Sequence, residues 1–476
     1  MDFRKNTTLA LLMSSVLLAG CSQAQTKQTV QEPDKQLESM KETTDSKNTD
    51  TDQEEDDDFD LEAKVINAGS TNLSDTDGMV KITSGGTYEI SGNGKTIAVD
   101  AKGQNVKLVL DGANLEGGKL PGLYIRKAEK VDITLKGSST ISYGSTPTYE
   151  SLNGALYSKS DVTFSGEGSL TVNSDYESGI KLKDNAVFES GTFTISAKND
   201  GIRVNEKAEF KGGTYTIDTN GEGIEAKDTL VIDGGNFAIH SSDDAVNAAN
   251  SITINGGSIQ AVSDNNDGID SNGDLIINGG LVSVAGSRSP ESCFDTDGTP
   301  FEINGGTVIG VGGTVMTPTS AKQPVILLGV DQKVSKVEIQ ENGNSIASFQ
   351  TPEYTQTGSF LILSDPHLQQ GKTYSILING EKYDDVTLED LITQAGNASL
   401  LEQQPKGPGG GFDKGQKAEP SDGFQPGQNS EMNEPPQDFG QDGQRPEPPE
   451  GFDRKDRRSR PGEGFDTQTE ATPGNE

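Results

Sequence analysis

Ile232-Asp233-Gly234-Gly235, Ile254-Asn255-Gly256-Gly257, Ile277-Asn278-Gly279-Gly280 and Ile303-Asn304-Gly305-Gly306 are four versions of one phrase. Phe210-Lys211-Gly212-Gly213 precedes them, and successive second glycines fall 22, 22, 23 and 26 residues apart. A second marker keeps step: Gly179-Ile180, Gly201-Ile202, Gly223-Ile224, Ala245-Val246 and Gly268-Ile269. Self-similarity at a fixed period of this length marks a repeat architecture. Each repeat holds three short runs of alternating apolar residues, such as Ile224/Ala226, Leu230/Ile232 and Phe237/Ile239. Alternation of period two places those side chains on one face of a strand. No helical period is visible, and strands this short cannot cover a sandwich core alone. Stacked triangular coils solve the problem, because like residues then pile on like and each strand pairs in parallel with its equivalent one coil away. A propeller blade needs about twice this period.

The expected fold is therefore all-β. It is a right-handed parallel β-helix of three short strands per ~22-residue coil over 64–318, with weaker coils upstream of residue 178. A small β-rich subdomain over 319–400 closes its end, since longer alternating runs such as Val325 to Val330 break the period there. The flanks read differently. Residues 21–63 are polar, with the acidic run Glu54-Glu55-Asp56-Asp57-Asp58, and 401–476 are rich in Gly, Pro, Gln and Asp with recurring Gly-Phe pairs. Neither has the apolar residues to offset the entropy of ordering, so both read as disordered tails.

Composition supports the division. Of 476 residues only 30% are hydrophobic, Trp is absent, and the net charge is −35. That charge excludes a nucleic-acid partner, because phosphate binding needs Lys and Arg. No organic cofactor motif is present. The first twenty residues carry Arg4 and Lys5, then an apolar run from Leu9 to Leu18, too short for a comfortable membrane span. Leu18-Ala19-Gly20-Cys21 follows, and it resembles the lipobox of bacterial lipoproteins. That resemblance implies cleavage of 1–20, acylation of Cys21 and tethering at the extracellular face of the membrane, with the lipid as the sole membrane contact.

The chemistry concentrates beside the Gly-Ile marker. The position before it is Asp200, Glu222, Asp244 and Asp267 in successive repeats. The outward position after it is Lys181, Arg203, Glu225, Asn247, Asp270 and Asp295, with Asp243, Asp264 and Asp297 nearby. Stacked coils bring such positions to about 4.8 Å from one another. Carboxylates at that distance repel, and a hard cation with oxygen ligands relieves the repulsion, Ca²⁺ best of all. Glu222, Glu225, Asp243, Asp244, Asp264, Asp267, Asp270, Asp295 and Asp297 are the candidate ligands. The competing account is that turns simply favour Asp, Asn and Gly. His240, placed at a corner, and His367 suggest no triad or metal cluster, and Cys293 reads as a packed residue. Tyr124, Tyr157 and Tyr176 lie near the marker face.

The phased Asp-Gly-Ile and Asn-Gly-Gly coils, the lipobox and the Gly-rich tail together resemble a bacterial group of surface carbohydrate-binding β-helix proteins, itself similar in fold to pectate lyases. The likeness covers about 64–400. It implies surface-bound calcium and affinity for plant-type or cell-wall polysaccharide, including acidic ones. Two other functions stay open. A calcium-dependent polysaccharide lyase needs a base near the cation, for which Lys181 and Arg203 are the candidates. A structural or adhesin-like spacer needs no sugar site at all.

Overall fold

A computed structural model describes residues 63–76, 79–147, 149–351 and 359–397. Cys21, the acidic run and the Gly-Phe tail lie outside the described residues. The described part is built almost entirely of β-strands, and its one helical segment is a short 3-10 turn at Leu73–Asp75.

The coils are present and parallel. Eleven marker strands, from Lys64–Val65 to Phe294–Thr296, form one sheet, with each strand bonded to its equivalents one coil below and above. The other two strands of every coil run in a second, continuous sheet. Register is fixed residue on residue: Ile180, Ile202, Ile224, Val246, Ile269 and Phe294 lie in one column. All six are buried. Upstream, the helix starts earlier than the clearest repeats, at Lys64, and its first strands already pair in parallel.

Stacking like on like shapes the core. Phe164, Phe188 and Phe210 stack with centroids 4.8 and 4.6 Å apart. Phe193, Tyr215 and Phe237 make a second stack at 5.1 and 4.5 Å. The two stacks meet edge to face, as at Phe210 and Tyr215, 5.4 Å apart. Offset and edge contacts suit the ring quadrupole and add to the area buried.

The corner phrase has its own logic, clearest at Gly256-Gly257. A Cβ on Gly256 would lie 2.7 Å from the Asp233 carbonyl of the coil below, and Gly257 has φ near +90°. The first glycine lets two backbones touch, and the second takes a left-handed turn that a side chain resists. The residue before the pair builds a ladder: Asn255 Nδ2 donates to Asp233 Oδ1 at 2.8 Å, Asn278 to Asn255 at 2.8 Å, and Asn304 to Asn278 at 3.0 Å.

Phe301–Ile303 still carries a parallel neighbour, Ser320–Ala321, but the stack changes direction at Thr307–Gly312. That strand pairs antiparallel with Ser359–Ser364, which pairs antiparallel with Val325–Val330. Val325, Leu327, Phe360 and Ile362 point into the helix core, while Ile326, Leu328, Leu361 and Leu363 point the other way. The second set packs with Val337, Ile339 and Tyr374 of a four-stranded antiparallel sheet. Asn342-Gly343 and Asn379-Gly380 turn its two hairpins with positive φ at both positions, the geometry that matches strand twist.

Truncating one buried ring tests the ladder. Phe210→Ala should cost about 3–5 kcal/mol of unfolding free energy in a denaturant titration. Leu281→Ala, on a half-exposed side chain, should stay within about 0.5 kcal/mol.

Candidate functional site

Between the inward columns of the marker sheet runs an outward one. Its register is Tyr124, Tyr157, Lys181, Arg203, Glu225, Asn247, Asp270 and Asp295, each directly beside the next. The column therefore changes from aromatic to basic to acidic along one line. The sequence spacing placed the residues from Lys181 to Asp295 in one column, and the strand register does so too and adds Tyr124 and Tyr157.

At the middle of the line, charges are tightly knit. Arg203 Nη1 lies 2.9 Å from Glu225 Oε2 and 3.2 Å from Asp200 Oδ2. Lys227 pairs with the other oxygen of Glu225. Ser178 Oγ donates to Asp200 Oδ2 at 3.2 Å. Burial opposes the charge on Arg203, but Glu225 and Asp200 outweigh it and hold the guanidinium pKa above its ordinary value. Arg203 is thus a fixed cation, a poor choice for a base.

Asp200 is the residue that the spacing argument left out of the ligand set. It is fully buried, and its Oδ1 has no hydrogen-bond partner among the described residues. Burial, then the contact with Asp200, raise the Glu222 pKa, while the Asp200 pKa is lowered because Glu222 and Arg203 overcome its own burial. The two carboxyls therefore titrate as one pair, with Glu222 the harder of the two to ionise. Carboxylate oxygens of Asp200, Glu222 and Glu225 lie within 4.8 Å of one another, close enough to hold a metal ion. The signal for Asp200 was available, since it opens the column of acids before the marker.

Further along, the acids lack such cations among the influences on them. Burial first, and then neighbouring carboxylates, raise the pKa of Asp244 to about 7 and those of Asp267 and Asp270 to about 8. Asn247 Nδ2 donates to Asp244 Oδ2 and to Asp270 Oδ2, both at 3.0 Å, tying the two columns together. Backbone N–H groups of Asp267 and Ser292 donate to Asp244 Oδ1 and Asp267 Oδ1. Burial also raises the pKa of Glu291 and Asp295, and Asp297 acts on Asp295 from just beyond the strand. Asp243 accepts from Asn266 Nδ2 at 2.7 Å at the edge of this group.

Asp264 is held elsewhere. It lies 3.2 Å from His240 Nε2, whose Nδ1 is 3.0 Å from Asp218. His240 sits inside the strand Asn236–Ser241, facing outward, and not at a corner. Tyr124 and Tyr157 are buried in a small cluster with Leu120 and Leu152 and form no open platform. Tyr176 is half-buried with its edge against Tyr143, centroids 6.0 Å apart. Cys293 is buried in the core, where burial pushes its thiol up to about 12.

The chain is similar to known proteins. A protein of Acetivibrio thermocellus described as carbohydrate-binding domain-containing is 34% identical over 155 residues, which is 29% of this chain and 54% of that one. The chain thus spans about half the length of that relative. A solved structure of a polysaccharide lyase-like protein from C. thermocellum, in a gadolinium derivative, shares 31% identity. It aligns with a TM-score of 0.40 over 42% of this chain and 87% of its own. A family model described as carbohydrate-binding domain-containing protein matches residues 76–314, which hold every residue of the outward column from Tyr124 to Asp295. With half its length in that match, this chain belongs to the family of carbohydrate-binding domain-containing proteins.

Proposed function

We propose that this protein is a surface lipoprotein, anchored through Cys21, that holds Ca²⁺ on the acidic half of its marker sheet and through it binds an acidic polysaccharide. One observation carries the reading. Asp244, Asp267 and Asp270 are packed side by side in a buried setting where the charges acting on them are other carboxylates. Such a group is stable only if protonated or if a cation joins it. The donor set is all oxygen, from carboxylates and Asn side chains, and this favours a hard cation over zinc or copper. Glu222, Glu225 and Asp200 offer a second group, where a cation competes with Arg203. A cation bound at either place supplies positive charge to a uronate carboxylate, and the outward columns orient the polymer along the sheet.

Binding without turnover is the favoured reading because, of the two candidate bases, Arg203 is fixed as a cation by Asp200 and Glu225 and Lys181 is completely buried. The −35 charge of the chain also makes an uncompensated anionic polymer a poor partner, so the cation is the natural bridge.

The carboxyl shifts give a pH dependence with a definite sign. Folded values near 7 to 8 stand above the usual carboxylate value of about 4 in an unfolded chain. The folded state then binds more protons across that window, so stability falls as pH rises from about 4 to 8. In EDTA, the melting temperature should drop between pH 5 and pH 8. Saturating Ca²⁺ should flatten the drop, and Asp267→Asn with Asp270→Asn should flatten it without Ca²⁺. An EDTA melting curve that is level across this range removes the carboxylate group as a cation site.

Polymer binding is tested separately. Ca²⁺ should raise the melting temperature at pH 8, and polygalacturonate should raise it again only when Ca²⁺ is present. The double Asn variant should lose both increments. Growth of unsaturated-uronide absorbance during the same incubation identifies a lyase and overturns the binding-only reading.

A further inference from the structure

The charged line repeats one arrangement twice, with different occupants. Arg203 Nη1 lies 3.2 Å from Asp200 Oδ2, three residues earlier in its own coil, and 2.9 Å from Glu225 Oε2, its neighbour in the next coil. Two coils on, Asn247 Nδ2 donates to Asp244 Oδ2, again three residues earlier, and to Asp270 Oδ2, again its neighbour in the next coil, both at 3.0 Å. The register makes the two sets equivalent, since Arg203, Glu225, Asn247 and Asp270 follow one another in the same column. Each set is a bracket of two carboxylates closed by one donor side chain.

The brackets differ in charge. In the first, Arg203 and Lys227 meet Asp200 and Glu225, so two cations balance two carboxylates. Lys227 stands two residues after Glu225, at a corner where its backbone N–H bonds to the Val204 carbonyl one coil before. Asn272 stands two residues after Asp270, and its N–H bonds to the Ala248 carbonyl in the same manner. The second bracket thus has Asn247 where the first has Arg203, and Asn272 where the first has Lys227. An amide replaces hydrogen-bond donors but supplies no charge. Asp244 and Asp270 are left short of two positive charges, the charge of one divalent ion, in a setting where an uncompensated charge is costly.

We infer that Asn247 and Asn272 give the second bracket its cation requirement: the first bracket carries its cations as side chains, and the second takes an exchangeable divalent ion in their place. This deepens the cation reading proposed above and rests on it. It assigns the exchangeable ion to Asp244 and Asp270 rather than to Asp200 and Glu225. Arg203 and Lys227 make the first bracket self-sufficient, although its carboxylates also lie close enough to hold a metal. The two protons on Asn247 Nδ2 keep Asp244 and Asp270 facing one another across the coils without neutralising them.

Exchanging the occupants in the full chain at pH 8 tests the assignment. Asn247→Arg with Asn272→Lys should raise the melting temperature in EDTA to that of the Ca²⁺-loaded wild type, and Ca²⁺ should add nothing further. In a calorimetric titration the same variant should take up Ca²⁺ about ten-fold more weakly than wild type, or not at all. Arg203→Asn with Lys227→Asn should do the reverse, lowering the melting temperature in EDTA, recovering it in Ca²⁺ and binding one more Ca²⁺ per chain. If the first exchange fails to fold, the second still decides. Ca²⁺ affinity and stoichiometry that neither exchange alters overturn the assignment. If wild type takes up no Ca²⁺ while the first exchange still gains stability in EDTA, the Ca²⁺ reading falls and the charge deficit stands. With no uptake and no gain, both fall.

Discussion

Parallel pairing of equivalent residues, one coil spacing apart, is the constraint on which everything else depends. Every position of one coil lies against the same position of the next, so each column holds one kind of chemistry or suffers for it. Apolar columns gain from the rule, since Ile lies buried on Ile and Phe stacks on Phe. Asn columns gain as well, because one amide is both donor and acceptor to its neighbours. Charged columns do not, and the protein answers in two ways. Where Arg203 stands beside Glu225, unlike charges alternate. Where Asp270 stands beside Asp295, burial first and then the meeting of like charges make the carboxyl groups hard to ionise.

The same rule explains why the fold was so legible. The Gly-Gly corners, the Gly-Ile marker and the paired apolar runs each repeat in phase, and together they define the coils, the inward faces and the outward column. The upstream coils were harder to see because their strands vary in length, from Ile97–Asp100 to the long Asn105–Gly117, which blurs the period. The cap announced itself by breaking the alternation. Its antiparallel partner Ser359–Ser364 could not be read from pattern, since every residue of that strand is buried, whichever way it faces.

The site was legible as a column but not as a set of contacts. Spacing put Arg203 next to Glu225, yet it could not reveal that Asp200, three residues earlier, would close on the same guanidinium. That contact depends on how the turn before the marker bends. Asp264 shows the converse error. It lies in an acid-rich run, but the register of the neighbouring strand delivers His240 to it, and it leaves the group around Asp267. The tyrosines were placed on the right face, while the loops bearing Leu120 and Leu152 that cover them leave no trace in the period.

The reversal of strand direction after Thr307–Gly312 has a consequence for how such a molecule can change over generations. A parallel stack is an open template at each end, and duplicating one coil lengthens it at no cost to its neighbours. Here the downstream end is sealed by strands that no further coil can copy. Gene duplication can therefore add length in the interior or near Lys64, whereas additions after residue 312 must preserve the seal or lose it altogether. The seal also gives the stack a fixed polarity, so that the acidic half of the charged line always lies toward the closed end and the basic half toward Lys64.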